Sequence, residues 1–310
     1  MHDDDDNAPP SGEQHGELVA APLDVEAVQA EIVPLRLGHP FLYFPAIGST
    51  NTYAAELARE GAVEGMLVTT DDQTTGRGRI GRVWRSLPGQ QLAVSLVLRP
   101  AFPPHFLVMA SALAVAEAIE EVAGLRLRSY RDAHEHGGVA VPRMAPEAAT
   151  ATAGAEAEQS SEVGIKWPND VRVAGRKVCG ILIETSEGFA VLGIGINVNG
   201  TLSADAELAA QATTLAEAAG RPIAREALLV ALLRRLDALY AELQMGGEAA
   251  REDVRARWRA RLETLGHPVR IQQGEQAVEG VAEDVNGDGA LLLRESGGAL
   301  RTVTWGDVSA

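Results

Sequence analysis

Residues 76–85 (GRGRIGRVWR) constrain this chain more than any other segment of its sequence. They contain four arginines and three glycines but no acidic residue, in a chain whose formal net charge is −16. Glycine lets a backbone approach a ligand closely and adopt positive φ. Arginine offers a fork of N–H donors that matches carboxylate and phosphate oxygens. The segment therefore predicts a loop that binds an anion.

The glycines of this loop also spell G-x-G-x-x-G, the pattern of dinucleotide-binding folds. That fold requires a helix directly after the pattern and an acidic residue about twenty positions later. Here Pro88, Gly89 and a predicted strand follow, and residues 100–104 contain no acid. The G-K-[ST] ending of a P-loop is missing as well. Both folds are excluded, and a solvated basic hairpin without a ligand is the alternative to an anion site.

Residues 166–170 (KWPND) form a second motif, at the point where a predicted strand gives way to a turn. Pro168 favours an extended Trp167, and the Asn-Asp pair favours a turn. The motif thus brings a lysine and an aspartate together at a strand end, where nucleotide phosphates and a hard cation could bind. An ordinary turn, with Trp167 as a plain core aromatic, is the alternative.

Three glycines, Gly180, Gly193 and Gly195, fall inside predicted strands. Glycine weakens a strand unless something must approach its backbone closely, so these positions are expected to line a ligand. Cys179 is the only cysteine and lies in an apolar context, which predicts a core residue rather than a nucleophile. A single cysteine excludes an internal disulfide and favours a reducing compartment, the cytoplasm.

The chain divides into segments of different character. Residues 1–37 carry nine acidic groups and one basic group and predict a flexible acidic tail. A catalytic domain is expected over 38–265, with a disordered insert at 129–162 where apolar periodicity is lost. Short strands and Gly-rich turns over 266–310 predict a small SH3-like β-barrel.

Apolar periodicity predicts the elements of the central region. Helices are expected over 50–61, 103–122, 224–244 and 251–264. Strands are expected over 66–70, 91–99, 163–167, 171–173, 176–178, 180–184 and 190–198.

Charge and hydropathy exclude several classes of partner. Residues 1–37 and 132–162 contribute −8 and −5 of the net charge, so the rest of the chain is close to neutral. No wide basic surface is therefore expected for nucleic acid. There is neither an apolar stretch of eighteen residues nor a signal-like N-terminus, so no membrane span or secretion is expected.

Taken together, these segments resemble the catalytic core of biotin–protein ligases. The resemblance covers about 41–265, with the small β domain at 266–310 in its expected place. It implies an α+β fold of the class II synthetase-like kind, in which a mixed β-sheet carries helices on one face and an SH3-like barrel follows. The N-terminal DNA-binding domain of the family's repressor-type members is not expected here. The matching pieces are Ser49-Thr50-Asn51, residues 73–82 with Trp84, residues 166–170, Arg176-Lys177 with residues 180–182, and residues 195–197.

The resemblance also implies roles for individual residues. Those expected at the polar head of biotin are Ser49, Thr50, Asn51 and Gln73, and those expected to fold over biotin and its adenylate are Arg77, Gly78 and Arg79. Gly76 is expected among the ligand-binding residues as well. Those expected on the ATP side are Arg82, Trp84, Lys166 and Asn169, with Asp170 at magnesium. Those expected elsewhere around the ligand are Lys177, at the biotin carboxyl and phosphate, and Gly180, Gly193, Gly195 and Asn197. Arg79, Lys166 and Lys177 are the expected catalytic residues.

The implied activity is ATP-dependent formation of biotinyl-5′-AMP, followed by transfer of biotin to a lysine of a biotin carboxyl carrier protein of the acetyl-CoA carboxylase type. A lipoate–protein ligase on the same scaffold and a biotin-responsive regulator without turnover are the alternatives. Either a monomer or a homodimer fits the sequence.

Overall fold

A computed structural model describes residues 21–85, 87–128, 162–202 and 206–309. Most of the predicted insert and the first twenty residues of the predicted tail lie outside these ranges. Within them, no helix combines the length and the apolarity needed to cross a bilayer.

A seven-stranded mixed sheet forms the larger body of the described residues. Its strands lie in the order β1-β2-β3-β7-β6-β5-β4, with β1 parallel to β2 and every other pair antiparallel. The sheet confirms the predicted fold class. The strands are β1 (Phe41–Phe44), β2 (Leu67–Thr70), β3 (Gln91–Leu98), β4 (Val163–Lys166), β5 (Asp170–Val173), β6 (Arg176–Ser186) and β7 (Phe189–Asn197).

Helices connect and cover these strands, and their ends follow local signals. Ser49 caps the first long helix of the core by accepting from the amide of Thr52, and Gly124 ends the next one in the left-handed conformation. The helices are α1 (Val25–Ile32), α2 (Thr50–Arg59), α3 (His105–Ala123), α4 (Ala206–Gln211), α5 (Leu215–Ala219), α6 (Arg225–Met245) and α7 (Gly247–Arg259).

The two faces of the sheet have different neighbours, because side chains alternate along each strand. The apolar face packs against α3, which in turn contacts α6 and α7. The opposite face is covered at one end by α2, whose Ala54 and Ala58 pack on Val97 and Val191. The expectation that helices cover only one face is therefore wrong, because α2 buries its alanines on the second face. The rest of that second face is left for the candidate site.

Two further expectations from the sequence need correction. Residues 176–178 and 180–184 belong to one continuous strand, β6, because Gly180 keeps its pairing with Asp170 and Gly195. The predicted tail is wrong for residues 21–37, which contain α1. Asp24 caps this helix, and Val28 and Ile32 are fully buried where α1 packs on α6. Acidic residues dominate the composition of residues 1–37, so the short apolar stripe of Val28 and Ile32 is not apparent from the sequence.

The C-terminal residues form an antiparallel sheet in the order β11-β10-β9-β8-β12, consistent with the predicted SH3-like domain. This sheet shares a continuous apolar cluster with the larger body. The Trp167 indole is buried and donates to the carbonyl of Gly289 at 2.9 Å, so the KWPND motif also joins the two sheets. The strands are β8 (Pro268–Gln273), β9 (Gln276–Val285), β10 (Leu291–Arg294), β11 (Leu300–Val303) and β12 (Asp307–Ser309).

Because Ile32 is fully buried, Ile32→Ala should lower the free energy of unfolding by about 3 kcal/mol through lost burial and a residual cavity. The neighbouring Val33 is 70% exposed, so Val33→Ala is the matched control and should change stability little. Urea denaturation of both variants makes the measurement. Equal, small effects would show that α1 does not contribute to the fold.

Candidate functional site

The N-terminus of α2 forms one corner of the candidate site. The segment after β2 runs beside the segment before α2, through a parallel bridge between Ile47 and Gln73. This pairing brings Gln73 Oε1 to 2.9 Å from the Thr50 amide and 3.1 Å from the Thr50 hydroxyl. Gln73 thus accepts from a backbone amide that has no partner within the helix, and the same side chain also lines the site.

Asn51 fills the space between α2 and the sheet, and only 4% of it is exposed. Its Nδ2 donates to Glu184 at 3.0 Å, and its Oδ1 accepts from the Ser95 hydroxyl at 2.6 Å. A Cβ on Gly193 would collide with the Asn51 amide. Gly193 is therefore required for the close approach of a protein side chain.

The arginine–glycine loop is a short hairpin over residues 76–84. Arg77 and Val83 form an antiparallel bridge, the Trp84 amide donates to the Gly76 carbonyl at 3.0 Å, and a 3-10 turn spans Arg79–Gly81. A Cβ on Gly76 would collide with the Trp84 carbonyl. The glycine pattern thus allows the two arms of the hairpin to lie close together.

The Trp84 indole lies against the backbone of the sheet. A Cβ on Gly195 would come within 2.7 Å of the indole, and one on Gly180 within 3.0 Å. The indole donates to Gln91 Oε1 at 3.1 Å, and Lys177 Nζ lies 5.8 Å from its ring centroid. The glycines thus allow protein side chains to approach the strand backbone closely: Trp84 lies above Gly180 and Gly195, and Asn51 lies above Gly193. All three glycines also border the cavity described below.

The cationic loop and the KWPND motif meet across the opening of the site. Arg79 Nη1 donates to Asn169 Oδ1 at 2.7 Å, and Lys177 Nζ lies 2.8 Å from Asp170 Oδ1. Burial lowers the pKa of the Arg79 guanidinium, opposed by Asp307 and Asp170. Burial also lowers the pKa of Lys166, opposed chiefly by Asp170. Gathering these partly desolvated cations destabilises the ligand-free site, and an anion placed among them would relieve that cost.

A cavity of about 460 Å³, its open mouth included, connects the neutral corner to the cationic opening. One end offers hydroxyl and amide groups, and the other offers the charges of Arg79 and Lys177. The predicted residues that line it are Ser49, Thr50, Asn51, Gln73, Arg77, Gly78, Arg79, Trp84, Asn169, Lys177, Gly180, Gly193 and Gly195.

The remaining predicted residues lie around this cavity without lining it. Gly76 is at the base of the hairpin, and Asp170 and Lys166 face each other as paired residues of β5 and β4. Asn197 is buried, with its Nδ2 donating to the Thr213 carbonyl at 3.2 Å. Arg82 forms an ion pair with Asp307 of the C-terminal sheet.

Several residues that contribute to the site could not be recognised in the sequence. Val94, Ile181, Leu182 and Ile194 line the cavity, but they come from strands that are indistinguishable from core strands in the sequence. The supporting side chains Ser95, Gln91 and Glu184 were missed as well. Ser95 and Gln91 are polar residues in the strand QLAVSLVL, and both are buried. Polar residues at every fourth position of an apolar strand could have marked these two as partners of other buried polar groups.

Comparison with known proteins gives a consistent result. A model of the biotin/lipoate A/B protein ligase family matches residues 43–200, and one of the biotin protein ligase C-terminal domain matches residues 264–310. The chain is 31% identical to the biotin–[acetyl-CoA-carboxylase] ligase of Mycobacterium tuberculosis, across 93% of this chain and 95% of that relative. It is also 31% identical to the ligase of the same name from Paracoccus denitrificans, across 81% and 92%. A solved structure of the Aquifex aeolicus biotin protein ligase with biotin and ATP has a TM-score of 0.66 and 25% identity, covering 86% of this chain and 97% of that one.

The contact between Trp84 and the sheet can be tested with Gly195→Ala. The added Cβ must displace the indole, so we expect a loss of about 1–3 kcal/mol of stability and a change in tryptophan emission. Gly287→Ala is the control, because nothing lies within 4 Å of a Cβ at that position. Wild-type emission and stability in the Gly195 variant would contradict this packing.

Proposed function

The chain belongs to the biotin/lipoate A/B protein ligase family, and we propose that within this family it acts as a biotin–protein ligase. It activates biotin with ATP and transfers the acyl group to a lysine of a biotin carboxyl carrier domain. The observation that carries this proposal is the meeting of the arginine–glycine hairpin and the KWPND motif at one cavity, through the bond from Arg79 to Asn169. Lys177 of β6 adds a further cation there, beside Asp170. A site for joining two anions needs such a concentration of cations next to a neutral pocket.

At the neutral end, we assign the head of biotin to Ser49, Thr50, Asn51 and Gln73. Their hydroxyl and amide groups converge on the cavity and can both donate to and accept from an uncharged polar ring. The indole of Trp84, which is expected on the ATP side, lines the same cavity as a flat apolar wall. Arg77, Gly78 and Arg79 would cover the ligand from the hairpin.

At the cationic end, we assign Lys177 to the biotin carboxylate and the α-phosphate. Lys166, Asn169 and the more distant Arg82 would serve the nucleotide. Asp170 fits a magnesium ion that arrives with ATP, because Mg²⁺ is usually held by one or two carboxylates plus phosphates and water. The described residues hold no cluster of three possible metal ligands. When bound, magnesium would neutralise phosphate charge.

In the first step a biotin carboxylate oxygen attacks the α-phosphorus of ATP. A carboxyl–phosphate bond forms, the bond to the β-phosphate oxygen breaks, and pyrophosphate leaves with that electron pair. Both reactants are anions, so Arg79, Lys166 and Lys177 lower the barrier by neutralising charge and aligning the partners. No protein nucleophile is needed, and the buried Cys179 thiol, whose pKa burial raises, is unsuited to that role.

In the second step the neutral amine of the acceptor lysine attacks the acyl carbonyl. An amide bond forms, AMP leaves, and the nitrogen loses a proton. The hairpin shields the mixed anhydride from water until the acceptor docks. The names of the Mycobacterium tuberculosis and Paracoccus denitrificans relatives favour an acetyl-CoA carboxylase as the acceptor. Use of ATP and a lone buried thiol favour the cytoplasm.

The direct test combines purified protein, MgATP, a carrier domain and either biotin or lipoate. We expect pyrophosphate exchange with biotin and a carrier mass increase of one biotinyl group. Lys177→Ala should lower the exchange rate about 10²–10³-fold, because it removes a charge that stabilises the transition state. Arg270→Ala, which removes an exposed arginine of β8, is the charge-matched control. Exchange with lipoate alone would establish the lipoate alternative, and biotin binding without exchange the regulator.

Arg79 closes the opening by its bond to Asn169, so Arg79→Gly should release adenylate before the acceptor docks. We expect slower carrier modification and increased biotin labelling of unrelated proteins added to the assay, detected by avidin blot. Slow turnover without added labelling would contradict the shielding role of Arg79.

A further inference from the structure

Glu184 lies on β6 and receives three hydrogen bonds from two residues of the cavity. Arg77 donates through Nη2 at 2.7 Å and through Nη1 at 3.2 Å, and Asn51 donates through Nδ2 at 3.0 Å. Glu184 is not among the described residues that line the cavity. It stands behind them and connects α2 to the arginine–glycine hairpin.

The bond to Asn51 fixes the orientation of a buried amide. Asn51 Oδ1 accepts from the Ser95 hydroxyl, so its Nδ2 is left for the carboxylate of Glu184. With Gly193 directly beneath, the amide has little space for another rotamer. Glu184, which can only accept when ionised, therefore sets which end of the Asn51 amide faces which partner.

The energetic contribution to folding is small. The side chains of Arg77 and Glu184 are 48% and 32% exposed, and an ion pair this accessible to water contributes little to stability. The effect of Glu184 is therefore expected at the cavity, which its partners Arg77 and Asn51 line, and not in the stability of the fold.

We propose that Glu184 is a positioning residue for the acyl-substrate end of the cavity. Its carboxylate holds Asn51 and Arg77 in the orientations in which they contact biotin, and this role rests on the function proposed above. It contributes nothing to the nucleotide end, because neither partner contacts Lys166, Asn169 or Asp170 among the described hydrogen bonds and ion pairs.

Glu184→Gln is the most informative variant, because it preserves the shape of the side chain and changes only its charge and its hydrogen-bonding groups. Both partners are donors, but a glutamine amide has one accepting end and one donating end. Glu184 Oε1 accepts from Arg77 Nη2, whereas Oε2 accepts from both Arg77 Nη1 and Asn51 Nδ2. The glutamine Nε2 must take one of these two positions, so it faces either Arg77 Nη2 alone or Arg77 Nη1 and Asn51 Nδ2 together. Both orientations remove at least one hydrogen bond from Arg77 and disturb the acyl pocket.

The experiment measures biotin-dependent pyrophosphate exchange against both substrates. For Glu184→Gln we expect KM for biotin to rise about tenfold, the size of one lost hydrogen bond to a charged group. KM for ATP should stay within about twofold and Tm within about 2 °C of wild type. Glu187→Gln, an exposed carboxylate in the turn after β6, is the matched control and should behave as wild type.

Several results would overturn the proposal. The first is an unchanged KM for biotin, and the second is an equal rise in KM for biotin and for ATP. The third is a rise in KM for biotin in Glu187→Gln as large as that in Glu184→Gln. The fourth is a fall in Tm of more than about 8 °C, which would make Glu184 a structural residue. The double variant with Arg77→Gln tests the link to the hairpin. If the fold-change in KM for biotin in the double variant equals the product of the fold-changes in the two single variants, Glu184 and Arg77 act independently. That result would contradict the proposal that Glu184 positions Arg77. Were wild type to use lipoate instead, the proposed function would fail, while the same comparison with lipoate would still test Glu184.

Discussion

The close contact between the Trp84 indole and the bare backbones of Gly180 and Gly195 is the constraint on which the site depends. It attaches a hairpin, which would otherwise be a solvated basic loop, to the middle of the sheet. The buried Gln91 accepts a hydrogen bond from the indole nitrogen and donates one to Asn197. Asn197 in turn donates to the carbonyl of Thr213, in the segment before α5. With Trp84 packed on the sheet, the hairpin lies over the cavity and Arg79 donates a hydrogen bond to Asn169.

The charge distribution of the cavity follows from this arrangement. Arg79 and Lys166 are partly withdrawn from water, and their neighbours Asp170 and Asp307 compensate them only in part. Such a site is less stable empty than filled with an anion, so ligand binding and stability should be coupled. The neutral corner at α2 differs, because its hydroxyl and amide groups already bond to one another. The groups of the corner are therefore already satisfied by the protein, whereas the charges of the cationic end are not.

Much of this could be predicted from the sequence, for identifiable reasons. The hairpin and the KWPND motif are local patterns whose chemistry is visible in consecutive residues, and their meeting at one site was implied by the resemblance to biotin–protein ligases. The partners of the glycines could not be predicted, since Asn51 and Gly193 lie far apart in the chain and meet only through sheet pairing. Glu184 ends an apolar strand and resembles an ordinary surface residue until Arg77 and Asn51 are placed beside it. Helix α1 was missed because acidic residues around it dominate the local composition.

The two lysines of the KWPND region and β6 have a consequence for the chemistry of the whole chain. Lys166 and Lys177 are its only lysines, and every other member of its 27 lysines and arginines is an arginine. A guanidinium stays protonated and does not take up acyl groups as an amine does. A mixed anhydride released from the site would therefore meet almost no lysine amine on the protein itself. Reagents that modify amines would react with the two lysines of the candidate site, and would inactivate the protein without labelling the rest of its surface.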